Sequence, residues 1–264
     1  RGARQDSILE RIQSRGPLVG RAPALLGLSL FALLVVYYET STSLWNWGLW
    51  GDVAWIACVL IPAVFALALL ALPLARSQLL ALFLVSVSFV VLAVVFAIAD
   101  LEVWANFSRF AAEVLFGWWF LQFFESLSWV VIVAAIIPFV DSFSVWRGPT
   151  KTITTEHPQV FDAVSFAFPV PGEHSAAELG PPDVLFFALF LAAAARFDLR
   201  VVWTFVGMVV GLGLTIAATT EFAALGLPAL PGIALGFLVP NADLIYRRLR
   251  TKPASETEPV SHTG

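Results

Sequence analysis

Residues 129–146 read WVVIVAAIIPFVDSFSVW. The run is long enough to enter a bilayer as a helix, and it carries one carboxylate, Asp141, inside its far end. Arg147 lies about six residues further on, so at roughly 1.5 Å per residue Asp141 sits on the order of 8 Å below the helix end. An ionised Asp there costs a few kcal/mol unless it is paired or wetted. The natural partner is a second acid at matching depth, and Asp183, which opens the next apolar run, is the candidate.

Composition bounds the class before any motif does. The 264 residues are 59% hydrophobic and 13% charged, and the mean hydropathy is +0.85. A soluble domain needs more polar side chains than this to cover its surface, so the expected fold is an all-α, polytopic transmembrane helix bundle. The opening RGARQDSILERIQSRG is too polar, and too long before the first apolar run, for a secretory signal. The first residue is not Met, which leaves room for an upstream helix. Cys58 is the only cysteine; it implies neither a disulfide nor a metal framework and is expected to pack in the core. The net charge of -4 is segregated along the chain rather than pooled in a basic patch, so nucleic acid is not an expected partner.

Apolar runs of about 17 to 25 residues read as spans, and eight are expected, over 23–38, 53–73, 79–99, 104–124, 126–146, 183–195, 199–219 and 228–246. The sixth is short, which predicts a helix that continues upward into the preceding loop. Eight crossings put Arg4, Arg11, Arg15, Arg21, Arg76, Arg196, Arg200, Arg247, Arg248, Arg250 and Lys252 on one side. By the excess of Lys and Arg in cytoplasmic loops, that side and both termini are cytoplasmic. Trp45, Trp47, Trp50, Trp55 and Trp104 then mark the outer interface. The organisation reads as a cytoplasmic segment 1–22, N-terminal helices 23–125, a core 126–246 carrying the two acids, and a polar, disordered cytoplasmic tail 247–264. Abundant Ala, Leu and Val with little Lys point to a prokaryotic cell membrane.

The connection from Arg147 to Gly180 is the one substantial extramembrane segment and lies outside by the same parity. Its middle, VFDAVSFAFPVPG, alternates Phe and Val before a Pro-Gly stop and permits a short strand or hairpin. Gly207, Gly211 and Gly213 form a small-residue face for close helix contact.

Chain topology brings Asp141, Asp183 and Pro228-Ala229-Leu230-Pro231 to one leaflet. Two carboxyls held close in a low-dielectric site share a proton. One then serves as base toward a water while the other, as acid, polarises a scissile carbonyl. Pro138 frees a carbonyl one turn before Asp141, and Pro181-Pro182 set a helix start that places Asp183 near a positive dipole end. Capping preference alone also accounts for an Asp at such a start. Glu113 has no second acid in a comparable frame and is expected to line polar space or pair locally. Glu221 and His174 read as loop residues, and His157 with Glu156 is too sparse for a metal site. No cofactor or metal is expected.

VDSFSVWRGPTK around Asp141, LGPPDVLFFALF around Asp183 and LPALPGIALGF thereafter together resemble the presenilin and signal peptide peptidase family of intramembrane aspartyl proteases, over about 129–238. The resemblance implies a presenilin-like bundle in which Asp141 and Asp183 are the catalytic pair. Gly180, Pro181, Pro182, Pro228, Ala229 and Leu230 would line the site and hold an extended substrate, and the 147–180 segment would supply a hairpin that takes substrate as an added strand. It also implies transmembrane or signal-peptide helices as substrates, the lipid bilayer as surroundings and water as nucleophile. Val140 stands where the family carries an aromatic residue, and Pro182 where it carries the second Gly of Gly-x-Gly-Asp. Two other readings accommodate the same acids: a non-cutting relative that binds helices as a scaffold, and a proton-coupled transporter.

Overall fold

The computed structural model describes residues 21–147, 158–222 and 227–250. The chain runs through α1 (Arg21–Thr40), α2 (Leu49–Arg76), α3 (Leu79–Ile98), α4 (Glu102–Leu121) and α5 (Leu127–Arg147). A short helix α6 (Pro158–Val164) and a hairpin of β1 (Phe166–Pro169) and β2 (Ala176–Leu179) lead to α7 (Pro181–Arg196). Helices α8 (Val201–Glu221) and α9 (Leu230–Arg250) complete it. Each of the eight apolar runs coincides with one of the long helices. Among the described residues five helices, those of α1, α2, α3, α5 and α8, are long and apolar enough to cross a membrane, which marks an integral membrane protein. Of the other three, α7 has only 16 residues, α4 carries Glu102, Arg109 and Glu113, and α9 ends in a charged third from Asp243 to Arg250. The opening segment through Gly20, residues 148–157 and the tail beyond Arg250 lie outside the described residues, and with them the expectations for 1–20, for His157 with Glu156 and for a disordered tail.

The most enclosed element is α7. Its middle is shut off from the surface, with Phe187, Ala188, Leu189, Phe190 and Leu191 all 0% exposed. Aromatic rings fix its rotation: Phe187 meets Phe65 of α2 at 4.0 Å between centroids, and Phe190 stacks on Phe237 of α9 at 4.9 Å. Toward its end the alanines Ala192, Ala193 and Ala194 let neighbouring helices approach closely. The helix begins at Pro181, one residue after β2, so the expected continuation into the loop amounts to Pro181 and Pro182 alone. Gly180 is extended and the next two residues are prolines, whose fixed φ suits a first turn and whose missing N–H groups need no partner there.

Helices α8 and α9 meet through glycines. A Cβ on Gly207 would stand 2.6 Å from the Gly236 carbonyl oxygen, and Gly211 faces Gly232 as closely. Only hydrogen at these positions permits such contact. Gly213 instead faces Ala57, in a π-helical stretch of α2 (Ile56–Leu60). That stretch turns Cys58 outward, so the cysteine is exposed rather than part of the core. At the end of the bundle away from the hairpin, enclosed Asn241 donates to Thr204 Oγ1 at 2.7 Å and to the Phe237 carbonyl at 2.7 Å. Its Oδ1 accepts from the Arg200 amide at 2.9 Å, beside a bidentate Arg200–Asp243 pair at 2.7 and 2.8 Å.

The outward faces are apolar. Leu80, Val91, Val94 and Ile98 of α3 and Ile136, Phe139 and Phe143 of α5 are exposed, a band that suits lipid and not water.

Candidate active site

The hairpin is held from one side by helix side chains. β1 pairs antiparallel with β2, Phe166 opposite Leu179 and Pro169 opposite Ala176. On its other edge, where a third strand would pair, Asn106 of α4 takes the strand's place: its Nδ2 donates to the Ala167 carbonyl at 2.9 Å and its Oδ1 accepts from the Ala167 amide at 2.9 Å. Tyr38 and Tyr37 hydroxyls donate to the carbonyls of Ala167 and Pro169 at 3.0 and 2.9 Å. Arg109 donates to the carbonyls of Asp162 and Ser165 at 3.2 and 3.1 Å. Phe166 and Phe168 fill the space beneath. At the tip, Gly172 has φ +73° and its amide donates to the Ser41 carbonyl at 2.8 Å, so the turn rests on the α1–α2 connection. His174 lies in this turn, whereas Glu221 is the last residue of α8 rather than a loop residue.

β2 leads directly to the acids. Gly180 caps α7 with its carbonyl accepting from the Asp183 amide at 3.0 Å, which turns the Asp183 carboxylate back toward the cap: a Cβ on Gly180 would lie 3.4 Å from Asp183 Oδ2. Pro181 and Pro182, with Leu185 and Phe186, face an aromatic wall of α4 and its end comprising Phe116, Trp119, Phe120 and Phe123. Asp141 reaches the same end of the bundle from α5. Its Oδ2 accepts from the Leu230 amide at 3.1 Å, and the Ala229 backbone lies beside the same carboxylate. Pro228 brings the chain into this approach, half-buried, and Ala229 and Leu230 are buried. Asp141 and Asp183 lie within electrostatic reach of one another. Asp141, Asp183, Gly180, Ala229 and Leu230 are thus brought together, while Pro182 is exposed at the outer side of the helix start.

Two residues of α4 belong to this region although nothing in their spacing pairs them with it. Glu113, expected to line polar space or pair locally, is within electrostatic reach of Asp183. Its proximity comes from Gly117, one turn on, where a Cβ would stand 2.5 Å from the Leu185 carbonyl oxygen. Arg109, one turn before Glu113, ties the helix to the hairpin base.

Within the hairpin, Glu178 of β2 accepts from the Ser165 hydroxyl at 2.9 Å. Partial burial pushes its carboxyl above the ordinary range, nearby Asp162 adds to the rise, and the Ser165 hydroxyl and Arg109 oppose it. Among the described residues no group of three His, Cys, Asp or Glu side chains is placed to hold a metal ion. No protein-family model matches the chain, and no curated protein is similar to it.

Proposed function

We propose that this protein is an intramembrane aspartyl protease of the presenilin and signal peptide peptidase type, an eight-span bundle with both termini cytoplasmic, that hydrolyses peptide bonds within transmembrane or signal-peptide helices. The observation that carries the reading is the convergence of three chain segments far apart in sequence: Asp141, Asp183, and the backbone at Ala229 and Leu230, of which the Leu230 amide donates to Asp141. Backbone N–H donors are the partners an ionised carboxylate needs, so Asp141 takes the part of base and Asp183 that of acid. A water between them attacks the scissile carbonyl carbon; its proton passes to Asp141 while Asp183 donates to the carbonyl oxygen. Collapse of the gem-diol breaks the C–N bond, the leaving nitrogen takes a proton from Asp141, and Asp183 recovers its own.

Substrate must be unwound before its carbonyl is open to attack. Because Asn106, Tyr37 and Tyr38 occupy the outer edge of β1, the edge left for an incoming strand is that of β2, which runs straight into Gly180 and Asp183. A segment added there is delivered in extended form beside the acids. In proteoliposomes with a single-span reporter, cleavage is expected from the wild type, blocked by a transition-state-analogue aspartyl inhibitor, and lost in Asp141→Asn and in Asp183→Asn. Undiminished cleavage by either variant would refute the assignment.

A further inference from the structure

Helices α1, α2, α3 and α4 surround a cleft of about 750 Å³ on the side of α4 away from the acids. Pro23 near the start of α1, Pro73 near the end of α2 and Trp118 near the end of α4 bound it at one end, and Phe96 of α3 and Trp104 of α4 at the other. From Trp104 to Trp118 the α4 axis rises about 21 Å at roughly 1.5 Å per residue. The cleft therefore follows the helices through most of a hydrocarbon core of about 30 Å. Its walls are apolar: among the described residues that line it, only Ser108 and the two tryptophans carry a polar side-chain atom, and none is charged.

Trp118 leaves one hydrogen bond unmade. The residue is 1% exposed, and its Nε1 is enclosed and donates to no described residue, a costly state inside a bilayer. Ala111, Val114 and Leu115, seven, four and three residues earlier, also line the cleft, so the indole stands on the same face of α4. An indole N–H only donates, so what is missing is an acceptor. A guest helix brings none from its backbone, because its carbonyls are used within the helix. An acyl ester brings a carbonyl oxygen at the head of an apolar chain. With no cation in the lining, a neutral ester suits the cleft better than a free carboxylate. Depth agrees, because the spans α1 and α2 start and end beside Trp118, where the hydrocarbon core meets the polar interface. We propose that the cleft holds one acyl chain of a membrane glycerolipid, its ester carbonyl accepting from Trp118 Nε1 and its tail running toward Phe96 and Trp104. Occupancy is independent of whether Asp141 and Asp183 cut.

The test places the full-length protein in phosphatidylcholine proteoliposomes in which part of the lipid carries a photoactivatable diazirine, either next to the acyl ester or at the chain end. After irradiation, adducts mapped by mass spectrometry are expected around Pro23 and Trp118 from the first lipid, and around Phe96 and Trp104 from the second. Trp118→Phe keeps the aromatic bulk and removes the donor. At about 1 kcal/mol for a neutral hydrogen bond and about 1.4 kcal/mol per decade, ester-proximal labelling should fall about fivefold. Gly27→Leu fills the cleft from α1; its Cβ would meet Leu70 at an ordinary 3.9 Å, and both sets of adducts should disappear. The outer face of α5 is the reference and should label equally in all three proteins. Cleft labelling no denser than that face, or unchanged in Trp118→Phe, overturns the inference. So does a cleft that takes no label, whether the opening residues 1–20 or another protein fills it.

Discussion

Replacing Asn106 tests how the hairpin is positioned, because a single side chain there substitutes for a neighbouring strand. Asn106 is 5% exposed and makes two reciprocal hydrogen bonds of 2.9 Å with Ala167. In Asn106→Leu the Ala167 carbonyl keeps the Tyr38 hydroxyl as donor, but the amide is left without its acceptor. An enclosed donor without a partner costs about 1–3 kcal/mol, and the second bond adds about 1 kcal/mol at most because its acceptor remains satisfied. The expected loss is about 2 kcal/mol, which at about 1.4 kcal/mol per decade is roughly a thirtyfold rise in local opening. Asn106→Asp retains the acceptor for the Ala167 amide and should lose about half as much. Hydrogen exchange followed by mass spectrometry reports both, on peptides covering 166–179 against those of α7 and α8 as internal references. If exchange over 166–179 is unchanged in Asn106→Leu, the hairpin is held by something other than this side chain and the argument for the open edge of β2 loses its basis.

Glu178→Gln should flatten the pH response of the same peptides. A carboxyl raised in the folded state lends stability at pH below its unfolded value and loses it as pH climbs through the folded value, so wild-type protection over 166–179 should be higher in mild acid than at neutral pH. No difference between the two pH values would contradict the burial ascribed to Glu178. Gly207→Val places a side chain where the Gly236 carbonyl lies and is expected to lower stability by about 3 kcal/mol, read as an earlier thermal transition in detergent; an unchanged transition would deny the α8–α9 contact. Asp243→Asn breaks an exposed, solvent-screened ion pair and should leave the thermal transition nearly where it is, whereas Asn241→Leu strips partners from Thr204 and the Arg200 amide and should cost about 2 kcal/mol or more. Equal losses in these two variants would show the charged pair, not the enclosed amide, to fasten that end.

The long helices are legible in the sequence because hydropathy over some twenty residues needs no knowledge of neighbours. The meeting of Asp141 with Ala229 and Leu230 is legible from topology, since helices that leave and return on one side bring their ends together. What stays hidden depends on helix rotation. Asn106 and Arg109 look like stray polar residues in an apolar run until α4 is turned so that both meet the hairpin. Glu113 gains its neighbour only through the Gly117 contact, and Cys58 faces outward because a π-helical turn inserts an extra residue into α2. Helix α6 leaves little trace in the sequence, because seven residues carry too little pattern to stand out from a polar approach.

Helix α5 lies against α9 along much of its length and only grazes α7. Asp141 is moored to the stretch of chain entering α9, whereas Asp183 sits at the head of the most deeply embedded helix. The halves of the pair are therefore carried by different supports, and a sideways step of α5 would open the gap between them without unsettling the rest of the bundle. Bilayer thickness, or a helix pressing on the bare outer flank at Phe139 and Phe143, would then govern the proposed chemistry by setting a separation.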